Sequence, residues 1–180
     1  MKAQLLFGLL VLGLSAGPSV AQSDFPELDK VDVILPFEKG KLTSRMGCRK
    51  HPTRDWKPFV GINLSQRKGT PIVAVADGKV LSSGWRGAWG IMTILEHGDN
   101  WRTYYGHQDT TKVEVGDVVK QGQEIGTLGT TGRTTGPVIS FLVTHKNKFH
   151  NPLNFYRPEK QVVPTFTACG GEKKPSDYGF

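Results

Sequence analysis

The side chains best able to hold a metal or move a proton are five histidines, His51, His97, His107, His145 and His150. None of them has the paired spacing with which metal sites usually announce themselves. Cys48 and Cys169 lie far apart, with no second ligand beside either, so a metal role does not suit them. An even number of cysteines in an oxidising compartment allows a disulfide between them. A closed loop that long, if unstrained, would contribute on the order of 4 kcal/mol. His107 ends the run Tyr104-Tyr105-Gly106-His107. A second run, from Gly126 to Val143, reads as a strand end, a glycine-rich loop and a new strand opened by Pro137.

The elements that must carry these residues read as short strands. From Val138 the side chains alternate, with Val138, Ser140 and Leu142 on one face and Ile139, Phe141 and Val143 on the other. Ile72 to Ala76 is β-rich and ends at the Asp77-Gly78 turn, and Lys79-Val80-Leu81 follows. The glycines of Gly84 to Gly90 leave Trp85 and Trp89 free to project. Ile91 to His97 reads as a strand with His97 at its polar end, and Trp101 to His107 returns beside it. Thr144 to Lys148 reads as a polar turn. Short strands with glycine-rich turns at close spacing predict an all-β sandwich or barrel. The run from Val115 to Gly126 has a hairpin pattern shared with biotinyl and lipoyl carriers, which specifies a fold and not a chemistry.

The 180 residues suffice for one domain with a proper core. Lys2, the apolar run Leu5 to Leu14 and the small residues Ser19-Val20-Ala21 read as a secretory signal peptide cleaved near Ala21. The run is too short to span a membrane, and no transmembrane segment is expected elsewhere. Residues 22–34 read as a leader, 35–156 as the domain and 157–180 as a loosely ordered tail. Removal of Lys2 takes the formal charge from +7 to +6. A basic exported protein suits anionic wall polymers or membrane surfaces, although such a charge equally serves solubility. No basic run is dense enough to propose nucleic acid.

Several segments carry a resemblance. Pro137-Val138-Ile139-Ser140-Phe141 resembles the Pro-His-x-His-Phe strand of lysostaphin-type (LytM-type) zinc peptidases, which cut peptidoglycan cross-bridges. Phe59-Val60-Gly61-Ile62-Asn63 falls on that family's His-x-Gly-x-Asp, and Tyr105-Gly106-His107 on its Tyr-x-His. Thr43 to Pro52 resembles its opening segment, whose histidine, here His51, is not a metal ligand. Asn151-Pro152-Leu153 resembles its closing segment. The resemblance runs from about Leu35 to Leu153 and implies a duplicated-hybrid-motif β-sandwich or barrel of short antiparallel strands. Two family ligands sit four residues apart, about 13 Å along a straight strand, so the chain must bend between them, with Gly61 the expected place.

The resemblance also implies what is missing. The family's three zinc ligands fall on Phe59, Asn63 and Ser140, and a helper histidine on Val138. Of the five site positions only His107 matches. The expectation is a protein without catalytic residues, metal or other cofactor, whose groove binds a partner. Phe59, Trp85, Trp89, Tyr104, Tyr105, His107 and Arg133 would line that groove, although each aromatic singly fits a core as well. By resemblance the partner would be a peptidoglycan hydrolase such as an amidase, a division protein, or peptidoglycan itself, in the periplasm or outside the cell. The other reading is a zinc endopeptidase with ligands displaced to His51, His97, His145 or His150.

Overall fold

The computed structural model describes residues 27–37, 39–51 and 54–156, the side chains at 48–51 and 54–57 excepted. The expected signal peptide, the tail after Tyr156 and the expected Cys48–Cys169 pairing lie outside the described residues. Among these residues the strands are, in chain order, β1 (Lys41–Ser44), β2 (Gly47–His51), β3 (Arg54–Phe59), β4 (Ile62–Ser65), β5 (Pro71–Val73) and β6 (Gly78–Trp85). There follow β7 (Ile91–Glu96), β8 (Trp101–Thr111), β9 (Val118–Val119), β10 (Glu124–Leu128), β11 (Val138–His145) and β12 (Lys148–His150). β2 and β3 form a separate hairpin, and the other ten strands join one sheet with the main order β1-β4-β11-β8-β7-β6-β9. β10 pairs with β5 and β8, and β12 with β11. Every pairing is antiparallel, as an all-β fold of hairpins requires.

The alternation read along β11 sorts its side chains between two cores. Ile139, Phe141 and Val143 enter the main cluster with Ile62, Leu64, Leu95 and Tyr105. Leu142 faces the other way, into a smaller cluster with Val60, Met92, Ile94 and Tyr104. The central strands are therefore covered on both faces. Two consecutive tyrosines of β8 consequently point to opposite cores and are both enclosed.

Between β3 and β4 the chain leaves the hairpin and enters the large sheet through Val60-Gly61. Gly61 is required by packing. A Cβ there would lie 2.5 Å from the carbonyl oxygen of Phe141 and 2.8 Å from Leu142 Cγ.

Three readings are corrected. The main core includes Leu28 and Val33, so part of the stretch read as a leader is packed with the domain. Ile34 N–H donates to the Val75 carbonyl at 3.3 Å and ties that stretch to the segment just after β5. Thr144 and His145 extend β11, and the turn itself is Lys146-Asn147, both with positive φ, as a two-residue hairpin turn needs. Finally, His97 is not at a polar end but fully enclosed. Its Nδ1 lies 2.6 Å from the Asp77 carbonyl oxygen and its Nε2 2.9 Å from Thr103 Oγ1. Thr103 Oγ1 in turn lies 3.1 Å from Tyr105 Oη, which accepts from Val75 N–H at 3.1 Å. Gly78 makes room for the ring, since a Cβ there would come within 2.9 Å of His97 Nδ1. Burial pushes the His97 pKa down to about 4, against the Asp77 carbonyl and carboxylate, which favour the charged ring.

Candidate functional site

The strand register assembles the site. Ser140 sits opposite Asn63 of β4 on one side and opposite Gly106 of β8 on the other. Val138 lies two residues back on the same face of β11, and its register partner is Ser65. Ser140 Oγ donates to Asn63 Oδ1 at 2.7 Å. Thr43 Oγ1 donates to the Asn63 carbonyl at 3.2 Å and steadies β4 from the edge strand. Phe59, at the end of β3, and Val138 are both buried.

His107 follows Gly106 in β8 but has a φ of 65°, a left-handed conformation uncommon for a residue with a side chain. The pairing of β8 with β7 shifts register here, between Ile91 and Thr93, which marks a bulge. A bulge re-aims a side chain that the plain alternation would misplace. His107 Nδ1 lies 2.8 Å from the Thr131 carbonyl oxygen. A carbonyl can only accept, so Nδ1 carries the proton. Burial lowers the His107 pKa, with the Thr131 carbonyl opposing, so the ring is held neutral with a lone pair on Nε2.

Two loops form the rim. Arg133 N–H donates to the Ala88 carbonyl at 2.8 Å, which joins the β10–β11 loop to the β6–β7 loop. Thr131 Oγ1 accepts from Ile91 N–H at 3.0 Å and donates to the Gln108 carbonyl at 2.6 Å. Gly90 and Gly132 make this close approach tolerable, as a Cβ on either would strike the opposite loop. Thr131 escaped the sequence reading because nothing in a threonine-rich loop distinguishes the one hydroxyl that joins three segments.

The expected groove residues divide. Trp89 is half-buried, its ring 6.2 Å from that of His107, and it stands over Gly106. It packs against the smaller core and so does not project freely as expected. Trp85 is 65 % exposed at the end of β6, and Arg133 is exposed on the rim. Tyr104 and Tyr105 are corrected to core residues. Tyr105 is locked to Thr103 and Val75, and Tyr104 Oη lies 3.2 Å from Thr144 Oγ1, so neither ring is open to a partner.

As a donor set, Phe59, Asn63 and Ser140 do not fit a zinc ion. Phe59 has no lone pair, and the oxygen of Asn63 already accepts the Ser140 hydroxyl. None of the three supplies the anionic or imidazole donors that zinc takes. Among the described residues no group of three or more His, Cys, Asp or Glu side chains is placed to hold a metal. His97 is occupied in the core. His145 stacks on Trp101 at 4.1 Å between ring centroids, and His150 packs against the same indole at 5.1 Å.

The model of peptidase family M23 matches residues 57–152, more than half of the chain and all five positions just described. The chain belongs to peptidase family M23. Its M23 fold is similar to that of the catalytic domain of lysostaphin from Staphylococcus simulans, with a TM-score of 0.60 and 29 % identity over 64 % of this chain and 91 % of that one. In sequence it is 40 % identical over 161 residues to the murein hydrolase activator NlpD of Salmonella dublin, covering 85 % of this chain and 40 % of the relative. It is 29 % identical over 142 residues to the DD-carboxypeptidase/endopeptidase Mpg of Neisseria meningitidis serogroup B, covering 78 % of this chain and 33 % of the relative. The M23 chain thus spans between a third and two fifths of the length of these curated relatives. Its relatives include proteins named as murein hydrolase activators and proteins named as peptidases. Among the described residues no helix is long and apolar enough to cross a membrane.

Proposed function

We propose that this M23 protein is a non-catalytic regulator of peptidoglycan hydrolysis, exported by its N-terminal segment to the periplasm or beyond. It acts by presenting its groove to a wall hydrolase, an amidase first among them. The observation that carries this reading is the hydrogen bond from Ser140 Oγ to Asn63 Oδ1. Two neutral side chains satisfy each other where a peptidase of this family would place metal ligands, and Phe59 and Val138 make the surroundings apolar. The named activator among its relatives supports the same direction.

The test mixes purified chain with insoluble wall sacculi, alone and with a peptidoglycan amidase. The expected result is no soluble fragments from the chain alone, with or without added zinc, and faster release by the amidase in its presence. Release by the chain alone that a chelator abolishes would instead establish the endopeptidase reading, which the likeness to Mpg favours. Recovery of the chain on sacculi that survives moderate salt, without any effect on the amidase, would make peptidoglycan itself the partner.

A further inference from the structure

We infer that the chain's own residues Val162 to Phe166 fill a cleft beside the N-terminal stretch and add one strand to the sheet edge there. The cleft has a volume of about 890 Å³ and is lined mainly by apolar side chains, among them Ile34, Leu35, Phe37, Val73, Phe155 and Tyr156. It shares no lining residue with the groove over Ser140.

One wall of the cleft is an unpaired backbone edge. Ile34 N–H donates to the Val75 carbonyl, and Val73 N–H donates to the Pro36 carbonyl at 2.8 Å. Gln121 Nε2 joins the Asp32 and Val75 carbonyls at 2.6 and 3.0 Å. Residues 32, 34 and 36 therefore turn their backbone groups toward β5 and the segment after it. Successive residues of an extended chain alternate in this respect, so the N–H and C=O groups of Val33 and Leu35 point the other way. Both residues line the cleft, and among the described residues neither has a backbone hydrogen-bond partner. Ile34 between them is one of the few large apolar side chains left exposed among the described residues. Free backbone groups beside an apolar cleft are what an added strand pairs with.

The chain itself supplies that strand. Tyr156 stands at the cleft, and the sequence continues to Phe180. Val162 follows Tyr156 within about 20 Å of fully extended chain. Val162-Val163-Pro164-Thr165-Phe166 carries no charge, whereas Arg157, Glu159 and Lys160 precede it and Glu172, Lys173 and Lys174 follow. Its alternation suits the place. With the backbone groups of Val163 and Thr165 turned to Val33 and Leu35, the side chains of Val162, Pro164 and Phe166 share one apolar face toward the cleft. Pro164, which has no N–H to give, then falls where the backbone points to solvent. A proline there also blunts the new outer edge against further pairing.

The experiment is NMR of the isotope-labelled full chain, reading nuclear Overhauser contacts and amide exchange. Contacts from the Phe166 ring to the methyl groups of Leu35 or Val73 are expected, together with slow exchange of the Leu35 amide. Phe166→Asp places a charge on the apolar face, and Val163→Pro removes a donor at the edge. Each is expected to speed exchange at Leu35 about tenfold or more, while Pro164→Ala leaves it unchanged. Unchanged exchange in the central strand β7 shows that the variants keep their fold. Absence of contacts between residues 162–166 and the cleft would overturn the inference. So would a Leu35 amide that exchanges alike in the wild type, Phe166→Asp and Val163→Pro. Contacts seen only between labelled and unlabelled copies would give the cleft to a second chain, and contacts to residues before Glu27 would give it to the N-terminal segment. Either result overturns the assignment to Val162–Phe166.

Discussion

We propose that the hydrogen-bonded Ser140–Asn63 pair stands where peptidases of the family hold their metal. If the backbone is indeed that of a zinc site, the ligands can be put back. The triple substitution Phe59→His, Asn63→Asp, Ser140→His is expected to take the purified protein from no bound zinc to about one ion per chain, read by elemental analysis after dialysis. Failure to bind zinc in a variant that still folds would mean that the local geometry, and not only the chemistry, has drifted. At the same scale, sequence offered candidate positions but not their contacts. Phe59, Asn63, Val138 and Ser140 were legible because the flanking glycines, prolines and strand pattern fix their frame. The bond between Ser140 and Asn63 joins residues 77 apart, and only the register of β4 against β11 discloses it.

The elements explain why the strands were legible and why the groove was partly misread. Alternation along β11 sorts residues by face, and the cores confirm it. Alternation alone does not say whether both faces are covered. For β8 they are, so Tyr104 and Tyr105 went to opposite cores instead of lining the groove. His97 was misread for a related reason: a histidine at a strand end resembles a surface residue until its partners Asp77 and Thr103 are seen. Lys146-Asn147 lacks the glycine that marks most tight hairpins, so the turn read too wide. The crossing at Gly61 makes a prediction about an element junction. Gly61→Ala would push a methyl into the Phe141 carbonyl of a central strand and is expected to cost about 1–3 kcal/mol in urea unfolding. An unchanged midpoint would show that the crossing is looser than its packing indicates.

For the molecule as a whole, the enclosed His97 makes stability depend on pH. Its folded pKa of about 4 lies below its ordinary value of 6.5, so the folded state resists a proton that the unfolded state accepts. The contribution is complete above pH 6.5 and is lost as the pH falls toward 4, amounting to roughly 3 kcal/mol across that window. Urea midpoints measured from pH 7.5 to 4 should fall accordingly. His97→Gln should be less stable at pH 7.5 and should flatten much of that slope. A wild-type midpoint constant through this range would remove His97 as the cause.

Thr131 holds the start of β7 through Ile91, β8 through Gln108, and the imidazole of His107 through its own carbonyl. A mouth fastened at three points by one residue has little freedom left to surrender when a partner arrives. Association should then resemble a key entering a finished lock, with free and bound backbones nearly superimposable. Selectivity would come from the shape already present and not from any rearrangement on contact.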